Sequence, residues 1–182
     1  MELQTRSVIS PIGTLCLYAS GPALVALALP GGDEELRAWL ARRFGDFRTR
    51  SESDPAGAAS ALRAYFAGEL AALDRIEVDP GGTSFQRSVW MELRRIPPGT
   101  AISYACLASR VRRPKAMRAV GAANGSNPIP LVLPCHRVVA ADGTLCGYGG
   151  GLEAKQWLLV HEKALASGAW RLELPSSQLP LL

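Results

Sequence analysis

The chain has 182 residues, enough for one large domain or two small ones, and its 48% hydrophobic and 20% charged content is that of an ordinary globular protein. No basic region followed by a long apolar run opens it, the early stretch ALVALALP is too short to cross a bilayer, and Cys16, Cys106, Cys135 and Cys146 form neither a CxxC pair nor a regular framework; a cytosolic protein with no membrane segment, disulfide framework or metal is expected. The net charge of +4 hides an asymmetry, because residues 1–80 hold 8 Arg against 11 acids whereas residues 81–182 hold 12 basic residues against 5 acids.

In chain order, the first 30 residues alternate short β-prone runs (SVIS, GTLCLYAS, ALVALALP) with Pro and Gly breaks, which predicts a small antiparallel sheet. DEELRAWLARRF follows, with acids at its start and Leu36, Trp39, Leu40 and Phe44 at helical spacing. PAGAASALRAYFAGEL predicts a second helix on Leu62, Tyr65, Phe66 and Leu70. EVDPGGTSF is the linker, since Pro-Gly-Gly interrupts periodicity where the charge balance changes sign, and it divides the chain into residues 1–80 and 81–182.

The second part reads as mostly helical. SFQRSVWMELRRI places Phe85, Val89, Leu93 and Ile96 on one face and is stopped by PPG. SYACLASRVRRPKAMRAVGAAN predicts a short helix started by Ser103, a turn at RVRR, and a second helix with Pro114 near its first position. Two short helices across a tight turn have the rhythm of a helix-turn-helix, although many helical hairpins with that rhythm bind nothing. The second helix carries Ala116, Ala119, Gly121, Ala122 and Ala123, thin enough either for a minor groove ~6 Å wide or for close packing on another helix. Residues 81–137 hold nine Lys and Arg with Glu92 as the single acid. Such a segment is a solvated basic face or a footprint for a polyanion, and the segregation favours a polyanion such as DNA. The tail LPSSQLPLL is expected to fray.

IPLVLPCHRVVAADGTLCGYGGG sets Cys135 beside His136, one of only two histidines. A lone cysteine is most often a small packing residue. Here Pro134 holds the backbone, His136 supplies a base, and Arg137 adds positive charge that favours thiolate. On an extended strand the two side chains point to opposite faces, so they cooperate only across a bend or through a water. In GLEAKQWLLVHEKAL, Leu158, Leu159, Glu162, Leu165 and Ala166 share one helical stripe, which puts a carboxylate on an apolar face where it must find a donor. His136 is the candidate, giving a Cys135–His136–Glu162 set with the logic of an oriented base. Cys106 and Cys146 read as packing residues and His161 receives no role.

Together PCHR, the SY…RAVGAANGSNP run and GYGGGLEAKQWLLVHE resemble the methylated-DNA:protein-cysteine methyltransferases, also called alkylguanine-DNA alkyltransferases. The likeness is dense from residue 81 to about residue 166 and extends only in general layout over the first 80. It implies an α/β fold class: a small N-terminal α/β domain of ribonuclease-H-like type, then a mostly helical winged helix-turn-helix domain that binds DNA and accepts the alkyl group. It implies direct-reversal DNA repair, in which an alkyl group leaves the O6 atom of guanine, with the O4 atom of thymine as an alternative, for Cys135. Each molecule is then expected to act once, without cofactor or metal.

By motif, His136 and Glu162 would form the relay, Asn127 would brace the active-site turn, and Tyr104 would rotate the nucleotide outward and donate to the base. Arg118 would fill the gap left by the flipped base, with Ser103, Lys115, Ala116 and Ala119 beside it on the DNA. Val138, Tyr148, Gly149 and Gly150 would line the substrate pocket. Gly149 stands where some relatives have serine, and Arg113 where many have a small residue. The implied partner is double-stranded DNA with alkylated bases, contacted in the minor groove by a monomer, with cooperative binding open. A DNA-binding module without chemistry would not need Cys135, and a turnover thiol hydrolase would not need the basic segment. A zinc site on Cys135, His136, Cys146 and His161 is weaker still, because adjacent ligands rarely suit one tetrahedral ion.

Overall fold

The computed structural model describes residues 1–172 and Leu174, and the chain falls into two units. The first holds Met1–Gly81 together with Pro128–Val132; the second holds Gly82–Asn127 and the residues from Leu133 onward. A single division at residue 80 misses the return of Pro128–Val132 to the first unit, where the Pro128 carbonyl accepts the Leu27 N–H at 2.8 Å.

In the first unit, β1 (Glu2–Ser10), β2 (Gly13–Ser20) and β3 (Ala23–Ala28) form an antiparallel meander. The sheet is nonetheless mixed, in the order β3-β2-β1-β4, because β4 (Arg48–Ser51) adds parallel to β1. The sequence RTRS carries no apolar alternation, and all of β4 is exposed, so hydrophobic periodicity had no means to reveal it. Helix α1 (Asp33–Phe44) turns Leu36, Trp39, Leu40 and Phe44 onto Leu3, Tyr18, Val25 and Ala26, as its spacing requires. Helix α2 (Ala58–Phe66) is shorter than expected: a 3-10 turn at Pro55–Gly57 precedes it, and Gly57, at φ 68°, breaks the helical path.

In the second unit, α3 (Ser84–Leu93) opens on a capping box in which Thr83 and Gln86 satisfy each other's backbone N–H. It buries Val89, Trp90 and Leu93, and the Trp90 indole donates to the Ala123 carbonyl at 2.7 Å. Helix α4 (Tyr104–Arg110) is followed by α5 (Met117–Gly125). Pro114 lies in the turn rather than at the start of α5, which begins after Ala116. The turn closes α4 through Arg112, which takes a left-handed φ of 58° while the Arg113 N–H reaches back to the Ala108 carbonyl at 2.8 Å. Strand β5 (Ile102–Ser103) pairs in parallel with β6 (Val138–Val139).

Helix α6 (Leu152–His161) ends with Glu162 as its cap. Leu158, Leu159 and Leu165 are buried as the stripe predicts, but Ala166 is exposed, because the helix stops and Lys163 turns the chain at φ 61°. The tail expected to fray lies, apart from Leu174, outside the described residues. Among the described residues no helix is long and apolar enough to cross a membrane.

Candidate active site

The PCHR segment is not an extended strand. Cys135–Arg137 form a 3-10 turn, closed by the Cys135 N–H on the Leu133 carbonyl at 2.7 Å and the Arg137 N–H on the Pro134 carbonyl at 3.0 Å. The opposite-face argument therefore falls away, and the bend that would let Cys135 and His136 cooperate is present. All three side chains are buried. Asn127, just beyond α5, braces the turn by donating its amide to the Leu133 carbonyl at 2.6 Å. Burial pushes the Cys135 thiol up, against the Asn127 side chain, the charge of Lys155 and the N–H groups of Cys135 and His136, each of which favours the thiolate.

Behind the turn the carboxylate of Glu162, at the end of α6, meets His136. Its Oε1 lies 3.0 Å from His136 Nε2, with both side chains fully buried. Burial alone would raise the Glu162 carboxyl; His136 and Arg137 outweigh it and hold the group well below the usual carboxylate range. An ionised carboxylate only accepts, so Nε2 carries the proton and Nδ1 is left with a lone pair. Nδ1 is buried without a hydrogen-bond partner among the described residues. Burial also pushes the imidazole below its ordinary value, which keeps it neutral and able to take a proton.

The positive charge near the thiol comes from a side chain to which the sequence reading gave no role. Arg137 does not serve the thiol. Its Nε donates to Glu162 Oε2 at 2.8 Å, one terminal nitrogen to Oε1 at 2.7 Å, and the other to the Ile96 carbonyl. The positive charge beside the thiol belongs instead to Lys155, which is fully buried on α6. Its ammonium donates to the Val138 carbonyl at 2.6 Å and the Cys146 carbonyl at 2.7 Å, and burial pulls its pKa down. Lys155 was missed, yet it lies three, four and seven residues before Leu158, Leu159 and Glu162. The stripe that exposed the carboxylate therefore contained the lysine as well.

The remaining candidates divide between the surroundings of the turn and an exposed face. Tyr104 opens α4, half-buried, with its hydroxyl accepting from Asn124 Nδ2 at 3.4 Å. Burial and the nearby Cys146 and Cys135 sulfurs push it up to about 12. The Tyr148 ring stands edge-on to His136 with centroids 6.4 Å apart. Gly149 is exposed and Gly150 partly so, whereas Val138 is fully buried in β6. Lys115, Arg118 and Ala119 are exposed and Ala116 half-buried, at and just before the start of α5, with Arg110, Arg112 and Arg113 exposed in the preceding segment. Ser103 does not join that face: it is fully buried and its hydroxyl accepts the Cys106 N–H at 3.1 Å, capping α4. His161 stacks on Trp157 at 4.8 Å, and among the described residues no group of His, Cys, Asp or Glu could hold a metal ion.

The chain as a whole matches a known family. The DNA-binding domain of 6-O-methylguanine DNA methyltransferase matches residues 84–164, and its ribonuclease-like domain matches residues 6–80. The methylated-DNA–protein-cysteine methyltransferase of Mycolicibacterium paratuberculosis is 45% identical over 164 residues, which cover 88% of this chain and 93% of the relative. The chain belongs to this methyltransferase family. The family member from Salmonella typhimurium is 54% identical over 120 residues, 66% of this chain and 70% of that protein. The crystal structure of the Mycobacterium tuberculosis O6-methylguanine methyltransferase superposes with a TM-score of 0.74 at 40% identity, covering 92% of this chain and 96% of that one. The Mycobacterium tuberculosis OGT in complex with DNA gives 0.73 at 38% identity, covering 90% and 94%. The first unit is accordingly the family's ribonuclease-like domain, and the second is its helical DNA-binding domain.

Proposed function

We propose that the protein repairs DNA by direct reversal, moving an alkyl group from the O6 atom of guanine onto Cys135 in a single turnover. The observation that carries the proposal is the buried His136–Glu162 pair next to Cys135 on the same buried turn, its imidazole neutral with its one unsatisfied nitrogen, Nδ1, available as a base. The Cys135 proton passes to Nδ1, directly or through one bridging water. The sulfur then bonds to the alkyl carbon, the carbon–O6 bond breaks, and the electron pair leaves with guanine. Tyr104 donates to the departing base; its pKa, pushed up to about 12, makes it a weak acid but keeps the proton on the hydroxyl, where it meets the negative charge that develops on guanine. Lys155 offsets the developing negative charge on sulfur.

Only ~3% of an ordinary thiol is ionised at pH 7, so full ionisation contributes roughly thirtyfold, about 2 kcal/mol. In-line placement of sulfur and alkyl carbon must supply more, ~7 kcal/mol being within reach of positioning. The product is a thioether, which is why each molecule reacts once.

The O6 substituent lies inside the base stack, so the nucleotide must be extruded. The α5 surface suits a minor-groove approach by a monomer. Val120, Ala123 and Asn124 are buried, while Ala119, Ala122 and Gly125 are exposed. Close helix packing accounts for the first set only; the exposed small residues form a thin face that a groove ~6 Å wide can admit. Arg118 stands exposed at its start, where it can occupy the space left by the extruded base. We assign the protein to the reducing cytoplasm, since the acceptor must remain a thiol and all four cysteines are free.

The test is incubation with duplex DNA containing O6-alkylguanine, followed by peptide mass mapping. One alkyl group per protein molecule on the peptide carrying Cys135 is expected. Multiple turnovers, or label on Cys16, Cys106 or Cys146 instead, would overturn the proposal. For Arg118, substitution by alanine should slow repair of duplex DNA by about tenfold or more, in line with a few kcal/mol of unstacking cost, while reaction with the free alkylated base stays near the unchanged rate. Equal losses on both substrates would remove Arg118 from extrusion.

A further inference from the structure

We propose that Arg137 is a positioning residue: its fork on Glu162 balances the carboxylate charge, so that His136 rests as a neutral imidazole with Nδ1 ready to accept the Cys135 proton. The inference rests on the alkyl-transfer reading above and concerns how the relay is kept in its reactive protonation state.

Glu162 Oε1 is shared. It accepts from Arg137 at 2.7 Å and from His136 Nε2 at 3.0 Å, while Oε2 accepts Arg137 Nε at 2.8 Å. A buried carboxylate facing an imidazole without a balancing cation would draw a proton onto that ring, since imidazolium is its readiest counter-ion. Imidazolium has no lone pair, and the relay would be blocked at rest. With the guanidinium in place the carboxylate is already neutralised, and Nε2–H needs only to donate a hydrogen bond.

The groups facing His136 make the balance explicit. Glu162, at the end of α6, favours the protonated ring; Arg137 on the same turn and Lys155 on α6 oppose it, as does burial. Cys135 precedes it on the turn, and the Tyr148 ring stands edge-on at 6.4 Å. The remaining Arg137 nitrogen holds the Ile96 carbonyl, just past α3, and thereby tethers the fork on the carboxylate. A planar guanidinium can make all three bonds; an ammonium at the same place cannot match two carboxylate oxygens and a carbonyl in one plane.

The experiment compares the 15N titration of His136 in the resting protein with the pH profile of transfer, for the unchanged protein, Arg137→Gln, Arg137→Lys and Arg137→Gln/Glu162→Gln. In the unchanged protein His136 should remain the neutral Nε2–H form well below ~6.5. In Arg137→Gln the imidazolium should appear at higher pH, with the midpoint raised by about one unit or more. Transfer should then fall about tenfold per unit on the acid side and recover as pH rises. Arg137→Lys should move both in the same direction by less, and it decides the matter if Arg137→Gln does not fold. The double variant, with no carboxylate left to draw the proton, should return the midpoint downward.

A midpoint and acid limb that stay at the unchanged values in a folded Arg137 variant would overturn the inference, whatever the thermal stability, because a merely structural arginine would move stability alone. Failure of the unchanged protein to take up any alkyl group would overturn the transfer reading instead, while the resting titration would still report on Arg137.

Discussion

Replacing Cys135 by serine is expected to abolish alkyl transfer completely and to leave affinity for duplex DNA nearly unchanged. Hydroxyl is far less acidic than thiol and its oxygen is a poorer nucleophile toward saturated carbon, so the neutral His136 that suffices for sulfur cannot activate it. Binding is expected to draw on different atoms: Arg110, Arg112, Arg113, Lys115 and Arg118 are exposed, whereas Cys135 is 7% exposed. If these charges neutralise about four phosphates, affinity should drop roughly a hundredfold between 50 and 200 mM salt, equally for both proteins. Mass measurement of the alkylated protein and a salt titration by fluorescence anisotropy read the two effects separately. Stoichiometric alkylation of the serine variant at Cys146 or Cys106 would contradict Cys135 as acceptor, and salt-independent binding would contradict the electrostatic footprint.

How much of this was legible in the sequence depended on whether a residue's role follows from local pattern or from a distant partner. The stripe Leu158, Leu159, Glu162 placed a carboxylate on an apolar face, and the structure puts it there, fully buried against His136. The same stripe begins at Lys155, but a lysine at helical spacing ordinarily extends its ammonium to solvent. That this one turns inward follows from the carbonyls of Val138 and Cys146, nine or more residues away and invisible to periodicity. Arg137 shows the converse error: adjacency to Cys135 suggested service to the thiol, while its geometry is set by Glu162 and Ile96, elsewhere in the chain. Helix α1 was read correctly because its four apolar residues carry the signal, whereas β4 carries none. Ser103 was recognised as the start of α4, and there it is fully buried, its hydroxyl accepting the Cys106 N–H.

Lys155 provides the sharpest separation of charge from architecture. Substituting it by methionine is expected to reduce the rate of transfer at neutral pH by about ten- to a hundredfold, because a loss of one to two units of thiol acidity removes that much thiolate. The direction follows from the surroundings of Cys135: burial raises its pKa, Lys155 opposes burial, and removing the ammonium lets the pKa rise further. The deficit should therefore shrink as pH rises, where the thiol ionises unaided. Stability should feel two opposed changes that rate does not. The folded-state pKa of Lys155 is depressed, so burying the ammonium costs stability at neutral pH, and that cost disappears only at pH values above the ordinary lysine range of ~10.4. Methionine relieves this penalty while leaving the Val138 and Cys146 carbonyls without their donor, a loss of about 1.5–3 kcal/mol per charge-assisted bond. Glutamine divides the two contributions, since its amide has two hydrogens for the carbonyls and no charge for the sulfur. If Lys155 acts through charge, the glutamine variant should be as slow as the methionine one and should show the same alkaline recovery. A glutamine variant that reacts at the unchanged rate across the pH range would make Lys155 a pin between Val138 and Cys146, and would leave the Asn127 side chain and the backbone N–H groups as the groups that favour the thiolate.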